Sequence, residues 1–218
     1  PPLPEQQRIV AKIEELFSSL DKGVESLKTA QAQLKTYRQA VLKWAFEGKL
    51  TNENVKDGEL PEGWKWEKSS NLFRYVTSGS RGWARYYSSD GAIFLRMGNL
   101  DHNTVRLDLS DIQRVKLPKQ AEGTRTRIQT YDILISITAD VGMIGLVPEG
   151  FPEAYIHQHV ALARPKISSI IPKYLAWYLS SEQNGQKQFR ELQRGATKVG
   201  LGLDDIKSIN VPLASLSE

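Results

Sequence analysis

Residues 5–47 read EQQRIVAKIEELFSSLDKGVESLKTAQAQLKTYRQAVLKWAFE, and this stretch decides the architecture. Apolar or small residues recur at Ile9, Ile13, Leu16, Leu20, Gly23, Leu27, Ala30, Leu34, Tyr37, Val41 and Trp44. The steps alternate between four and three residues without a break. That is the a/d seam of a heptad repeat, sustained over about five heptads. No proline interrupts it after Pro4, and proline at a helix entrance is tolerated. Gly48 follows as a C-terminal cap, with Lys43 and Lys49 near the negative end of the helix dipole. A helix of this length rises about 65 Å at about 1.5 Å per residue. An a/d stripe on one helix has nothing to bury against in isolation, so a partner helix is expected. Gly23 and Ala30 on the seam suggest close approach of that partner in the middle. The competing reading is a helix laid along its own domain.

Downstream the composition changes. Gly48, Asn52, Glu53, Asn54, Asp57, Gly58, Pro61 and Gly63 are turn formers and charges, which mark a linker. The expected organisation is therefore a helix over 1–50, a linker over 51–63 and a domain over 64–218. Apolar runs at 92–97, 132–137, 144–147 and 159–163 read as strands. Ile171–Leu179 opens with Pro172 and reads as a helix, and Gln183–Gln193 as another. The fold class is α+β: a long N-terminal coiled-coil helix, then a mixed, partly closed β-sheet domain with C-terminal helices. Trp64, Trp66, Trp177 and Tyr178 are expected in its core.

Composition narrows the function. The chain has 218 residues, no cysteine and a formal net charge of +4. Lacking cysteine, it has no disulfide and no thiolate metal site, and a reducing cytoplasm suits it. No apolar run approaches the length of a membrane span, and the opening Pro1-Pro2-Leu3-Pro4 is no signal peptide. Residues 74–127 hold 10 Lys/Arg against 5 Asp/Glu, and most of those cations are arginine. Arginine offers the planar fork that suits phosphate and guanine. An ordinary solvated basic face is the plainer alternative.

The residues for nucleic-acid contact fall in loops. Thr77, Ser78, Gly79, Ser80, Arg81, Trp83 and Arg85 mix hydroxyls, arginine and an aromatic ring. Arg125 and Arg127 form a second basic loop, and Thr197 and Lys198 sit in a glycine-rich turn. Arg96 falls inside an expected strand, as base reader or ion-pair partner. His157 and His159 are two apart on an expected strand, with Gln158 between them and Glu153 nearby. Hydrogen bonding to a loop or phosphate suits this pair better than a metal, since no third ligand is evident. Asp132 and Asp140 flank a strand without the acid-x-lysine that a metal-dependent nuclease would show. No phosphate loop, dinucleotide turn or amino-methyltransferase tetrapeptide is present.

Several of these segments, in order, resemble the specificity subunit of type I restriction–modification enzymes. Pro1–Val10 is similar to the entry of that family's spacer helix, and Ala45-Phe46-Glu47-Gly48-Lys49-Leu50 to its exit. Asp132–Ser136, Gly142–Gly145, Ile156–Val160 with Arg164-Pro165, Gly195–Leu203 and Ile209–Leu213 complete the likeness. The family alternates two recognition domains with two spacer helices that pair antiparallel. This chain carries one of each, as a natural half-subunit or as a piece of a longer one. Ser215–Glu218, laid over Pro2–Glu5, reads as the start of another copy of the repeat. The resemblance implies a non-catalytic reader of double-stranded DNA, held to type I methyltransferase subunits and indirectly to the restriction/translocase subunit. S-adenosylmethionine, Mg and ATP would belong to those partners, with none in this chain. It further implies a prokaryotic cytoplasmic location and a homodimer through Ile9, Ile13, Leu16, Leu20, Leu27, Leu34 and Val41. A nuclease with a coiled-coil tail and a coiled-coil adaptor that never touches DNA are the rival readings.

Overall fold

The computed structural model describes residues 1–52, 54–56, 58–118, 123–193 and 200–214. It divides into two compact units, Pro1–Val41 and Leu42–Glu218. Helix α1 runs unbroken from Leu3 to Phe46, as its heptad pattern and lack of internal proline require. Its compact-unit division thus falls earlier than the boundary at 50 drawn from composition. Within the first unit the seam is open to solvent: Ile9, Ile13, Leu16, Leu20, Leu27, Leu34 and Tyr37 are all exposed. Gly23 has no atom within 4 Å of where a Cβ would stand. The last turn of α1 behaves differently. Phe46 is buried, edge-on to Tyr174 at 5.2 Å and to Tyr178 at 5.1 Å. The chain then leaves the helix through Gly48 in the left-handed region, φ 75°, where a Cβ would lie 2.1 Å from Pro61. Only glycine fits there.

The second unit is built from short strands and late helices. In chain order they are β1 (Lys65–Lys68), α2 (Ser69–Leu72), β2 (Phe73–Ser78), β3 (Tyr87–Ser88), β4 (Ala92–Leu95) and β5 (Gln113–Val115). There follow β6 (Ile133–Ser136), β7 (Ile144–Leu146), β8 (Ala154–Ile156), β9 (Val160–Pro165), α3 (Pro172–Ser180), α4 (Gly185–Leu192), α5 (Leu203–Lys207) and β10 (Asn210–Leu213). Among the described residues these strands form three sheets. One has the order β2-β9-β6-β7, a second β3-β5-β4-β8, and β1 pairs with β10. The first is antiparallel throughout, and the second is mixed because β4 and β8 run parallel. The α+β class expected from sequence is what forms, with the sheet resolved into these three.

The period of two along a strand explains why β6 and β9 were legible. Ile133 and Ile135 face one apolar cluster, under α3 and α4, while Leu134 faces another. Likewise Ala161 and Ala163 join the first cluster, and Val160 and Leu162 the second. With both faces buried the strands are continuous apolar runs. Strand β4 repeats the device: Ile93 and Leu95 enter the second cluster, and Phe94 enters a third with Trp83, Val115 and Tyr155. A bidentate pair between buried Asp132 and half-buried Arg164 holds β6 to β9, with Arg164 Nε and Nη2 each 2.8 Å from an Asp132 carboxylate oxygen. Asp132, one of the two acids considered for nuclease chemistry, is thus committed to a structural bond.

Two sequence expectations need correction here. Trp66 is exposed, not core, because it sits on β1 of the small two-stranded sheet. Arg96 lies just past β4, at the start of a 3-10 turn over Met97–Asn99, not inside the strand.

Candidate nucleic-acid interface

Register brings the candidate residues together from three separate segments. Strand β2 pairs with β9, and its end continues into Gly79, whose N–H donates to the Val160 carbonyl at 3.2 Å. Ser80 then bridges to His157. A Cβ on Gly79 would meet the His157 carbonyl carbon and the Ile156 oxygen at 2.3 Å, so the backbones touch there. The turn between β8 and β9 carries His157, Gln158 and His159 to the same edge. Arg127 bridges to Tyr155 in β8, which adds the 123–127 loop.

Arg125 is the clamp of this cluster. Its Nη1 donates to the Thr77 hydroxyl and, at 2.9 Å, to the Ser78 carbonyl, and its Nη2 lies 3.4 Å from the Ser80 hydroxyl. The guanidinium is therefore occupied by the chain itself. Arg81 is exposed on the neighbouring loop, and Arg85 stacks over the Tyr86 ring at 4.8 Å. Among the described residues Arg127 pairs with Glu153, at 3.6 Å, and both side chains are more than a third exposed. Arg96 Nη2 is 2.8 Å from Asp111, an acid that is itself 85% exposed. Such a surface pair is weak and yields readily to a phosphate.

The two imidazoles stand 4.7 Å apart between ring centroids. His159 Nδ1 is 2.6 Å from the Thr138 hydroxyl, its Nε2 is 3.1 Å from the Gln158 amide nitrogen, and the His157 ring stands edge-on to Phe94. Burial, then the neighbouring His159 and Arg96, hold the His157 imidazole below its ordinary pKa. Neutral histidine presents one donor and one acceptor, the form suited to hydrogen-bond reading. The pair was expected on a strand; it sits in a turn instead, because β8 stops at Ile156 and β9 begins at Val160. Among the described residues no group of three or more His, Cys, Asp or Glu is placed to hold a metal.

Trp83 needs a correction. It is 3% exposed, stacked on Phe94 at 5.5 Å and tilted on Tyr155 at 5.4 Å. Gly123 lies so close that a Cβ would meet its ring at 2.2 Å. The indole is a core plug that ties the 79–87 loop to the 123–127 loop, and it is unavailable to stack on a base. Thr77 is likewise buried, serving Arg125. Thr197 and Lys198 lie outside the described residues. Sequence reasoning missed Thr138 and Tyr75. Thr138 reaches His159 because Ser136 on β6 pairs with Val160. Tyr75 covers Arg164 at 5.9 Å and points its hydroxyl at the Arg125 carbonyl, 3.4 Å away. Neither has a sequence signal short of strand register.

An apolar pocket of about 660 Å³ is lined by Ala45, Leu50, Trp64, Ile170, Tyr174 and Leu213 among others. It shares no residue with the cluster just described.

Comparison with known proteins gives a consistent picture. A family model for the type I restriction modification DNA specificity domain matches residues 87–218. The chain is 29% identical over 231 residues to the type I restriction enzyme EcoBI specificity subunit of Escherichia coli, covering 100% of this chain and 48% of that protein. It is 25% identical over 224 residues to the StySPI specificity subunit of Salmonella potsdam, covering 100% and 47%. This chain spans about half the length of both relatives. By fold it is similar to the HsdS subunit from Thermoanaerobacter tengcongensis, with TM-score 0.53 and 22% identity over 100% of this chain and 48% of that one. It is also similar to a chain from a study of complex assembly and conformational transition in the type I R-M system, with TM-score 0.60 and 21% identity, covering 100% and 49%.

Proposed function

The chain belongs to the type I restriction modification DNA specificity family, and from that premise we propose that it reads one half of a bipartite duplex-DNA site. The observation that carries the reading is the convergence of the 77–81, 125–127 and 157–159 segments at one edge of the second unit. Hydroxyls, exposed arginines and two imidazoles meet there beside the close backbone contact at Gly79. Phosphate contacts would come from the Ser78 and Ser80 hydroxyls, main-chain amides and Arg127; base reading would come from Arg81, Arg85 and the imidazoles. Lys198 and Thr197 would add phosphate contacts.

The chain does no chemistry in this reading. S-adenosylmethionine, Mg and ATP act on methyltransferase and restriction/translocase subunits that it directs. Two copies pair through the open seam of α1, so that two recognition units address two half-sites in a prokaryotic cytoplasm. Among the described residues no helix is long and apolar enough to cross a membrane.

The test is a band-shift titration of the full chain on random duplex across a salt series. Phosphate contact makes log affinity fall linearly with log salt, at about 0.9 per neutralised phosphate. A steep slope is the expected result. No binding at low salt would leave the adaptor reading, and Mg-dependent cleavage by the pure chain would leave the nuclease.

A further inference from the structure

We propose that α1 pairs with a second copy in one antiparallel register, with Leu27 of each copy facing Ala30 of the other. This rests on the homodimer just proposed and adds its geometry. In an antiparallel pair an a position on one helix faces a d position on the other. The register then follows from the seam. Leu27 faces Ala30 and Leu34 faces Gly23, so each layer near the two-fold axis sets a small residue against a leucine. Outward, Leu20 faces Tyr37, Leu16 faces Val41 and Ile13 faces Trp44. The seam side chains that α1 leaves exposed from Ile13 to Trp44 are covered.

Small-against-large layers alone do not select this register, because a shift of one heptad preserves them. Two further facts do. The first is Trp44, 53% exposed, the bulkiest apolar side chain on the seam. One heptad in one direction puts it opposite Gln6, with no apolar partner. One heptad in the other direction leaves Ile13 without a seam residue to face and sets Leu16 against Gly48. The second is charge along the flank of the seam, which sets register in coiled coils. In the proposed register Lys12 of one copy, paired in its own helix with Glu15, lies beside Glu47 of the other, whose carboxylate is already held by Lys43 and Lys49, so the approach adds a cation to an existing cluster. The shift that strands Trp44 sets Glu5 beside Glu47 instead, two like charges. The other shift places Ser19 beside Glu47, with no ion pair.

Gly23 supports close pairing of the seam without choosing among these registers. Nothing in its own chain lies within 4 Å of where its Cβ would be, so no contact within the copy asks for a glycine. Facing Leu34 of a second copy, it lets the two backbones close.

The chain contains no cysteine, so engineered pairs report without background. The experiment uses the full chain with L20C/Y37C, and with L16C/L34C as its counterpart for the shifted register. Disulfides need Cβ atoms about 3.5–4.5 Å apart, and a heptad shift moves the partner by about 10.5 Å. Under mild oxidation L20C/Y37C is expected to become a reducible covalent dimer while L16C/L34C stays largely uncoupled. Sedimentation of both reduced variants confirms that each is assembled as the unmodified chain is. Coupling of L16C/L34C with none of L20C/Y37C overturns the register and keeps the dimer. A dimer in which neither pair couples overturns this register as well, leaving the opposite heptad shift or an interface off the seam. A reduced, unmodified chain that sediments as a monomer sinks the homodimer reading itself. Efficient coupling of L20C alone would show a parallel pair and overturn the proposal.

Discussion

Arg81 and Arg125 carry the same side chain, yet the fold has set them to different work. Arg125 spends its donors on Thr77, Ser78 and Ser80, while Arg81 is exposed on the adjoining loop. Arg81→Ala is therefore expected to relax preference at one base pair, by about 1–3 kcal/mol if its fork takes a guanine. Selection from a random half-site library reads this out. Arg125→Ala should instead weaken binding to every sequence and lower stability by about 1 kcal/mol, since a clamp hydrogen-bonded at several points is lost. A urea titration checks the second part. Equal loss on all sequences for both variants would place Arg81 among the phosphate contacts. The sequence alone could not separate the two residues, for both lie in basic loops beside glycine. What separates them is that β2 pairs with β9 and the 123–127 loop crosses its end, and local composition carries no trace of that. Trp83 misled for a related reason: its loop looks solvated, but the indole fills the small cluster beneath it.

At the scale of elements, α1 shows both what periodicity conveys and where it stops. Ten uninterrupted seam steps made the helix and its end at Gly48 plain. The seam did not show that the last turn changes role, from an open stripe to a buried anchor. Phe46 makes that change by inserting between Tyr174 and Tyr178. Burial pushes both phenols well above their ordinary range, so they stay neutral donors to the Pro212 and Asn210 carbonyls. Phe46→Ala should cost about 3–5 kcal/mol in the second unit. The midpoint of urea unfolding, followed by tryptophan fluorescence, measures it. A loss below about 1 kcal/mol would show that the anchor is dispensable. Strands told a parallel story. Buried on both faces, β6 and β9 were read correctly. β2 was not, since Arg74 and Tyr75 on its open side break the apolar run and its last residues pass for a loop. β5, with Gln113 and Arg114, was hidden in the same way.

For the whole assembly, helix length is expected to act as the ruler between half-sites. Each residue adds about 1.5 Å and each base pair about 3.4 Å. A heptad inserted near Gly23 keeps the seam in phase and adds about 10.5 Å, near three base pairs. Three base pairs also rotate the half-sites by about 100°, which a stiff pair of helices would resist. Four residues add about 6 Å, nearly two base pairs, at the expense of a stutter in the seam. The four-residue variant should prefer a spacer one or two base pairs longer, with half-site sequences unchanged. Sites selected from a random-spacer library decide this; an unaltered preference would remove the helix as ruler.

The third apolar cluster, Trp83 with Phe94, Val115 and Tyr155, has a bearing on how such a reader changes over generations. It underlies the 79–87 and 123–127 loops, on the face of β4 opposite the second cluster. A foundation of their own would let substitutions in those loops be absorbed with less repacking around β6 and β9 than changes beneath the second cluster would need. If these loops read the target, as proposed, substitutions in them would change what is read while the two larger clusters keep the fold.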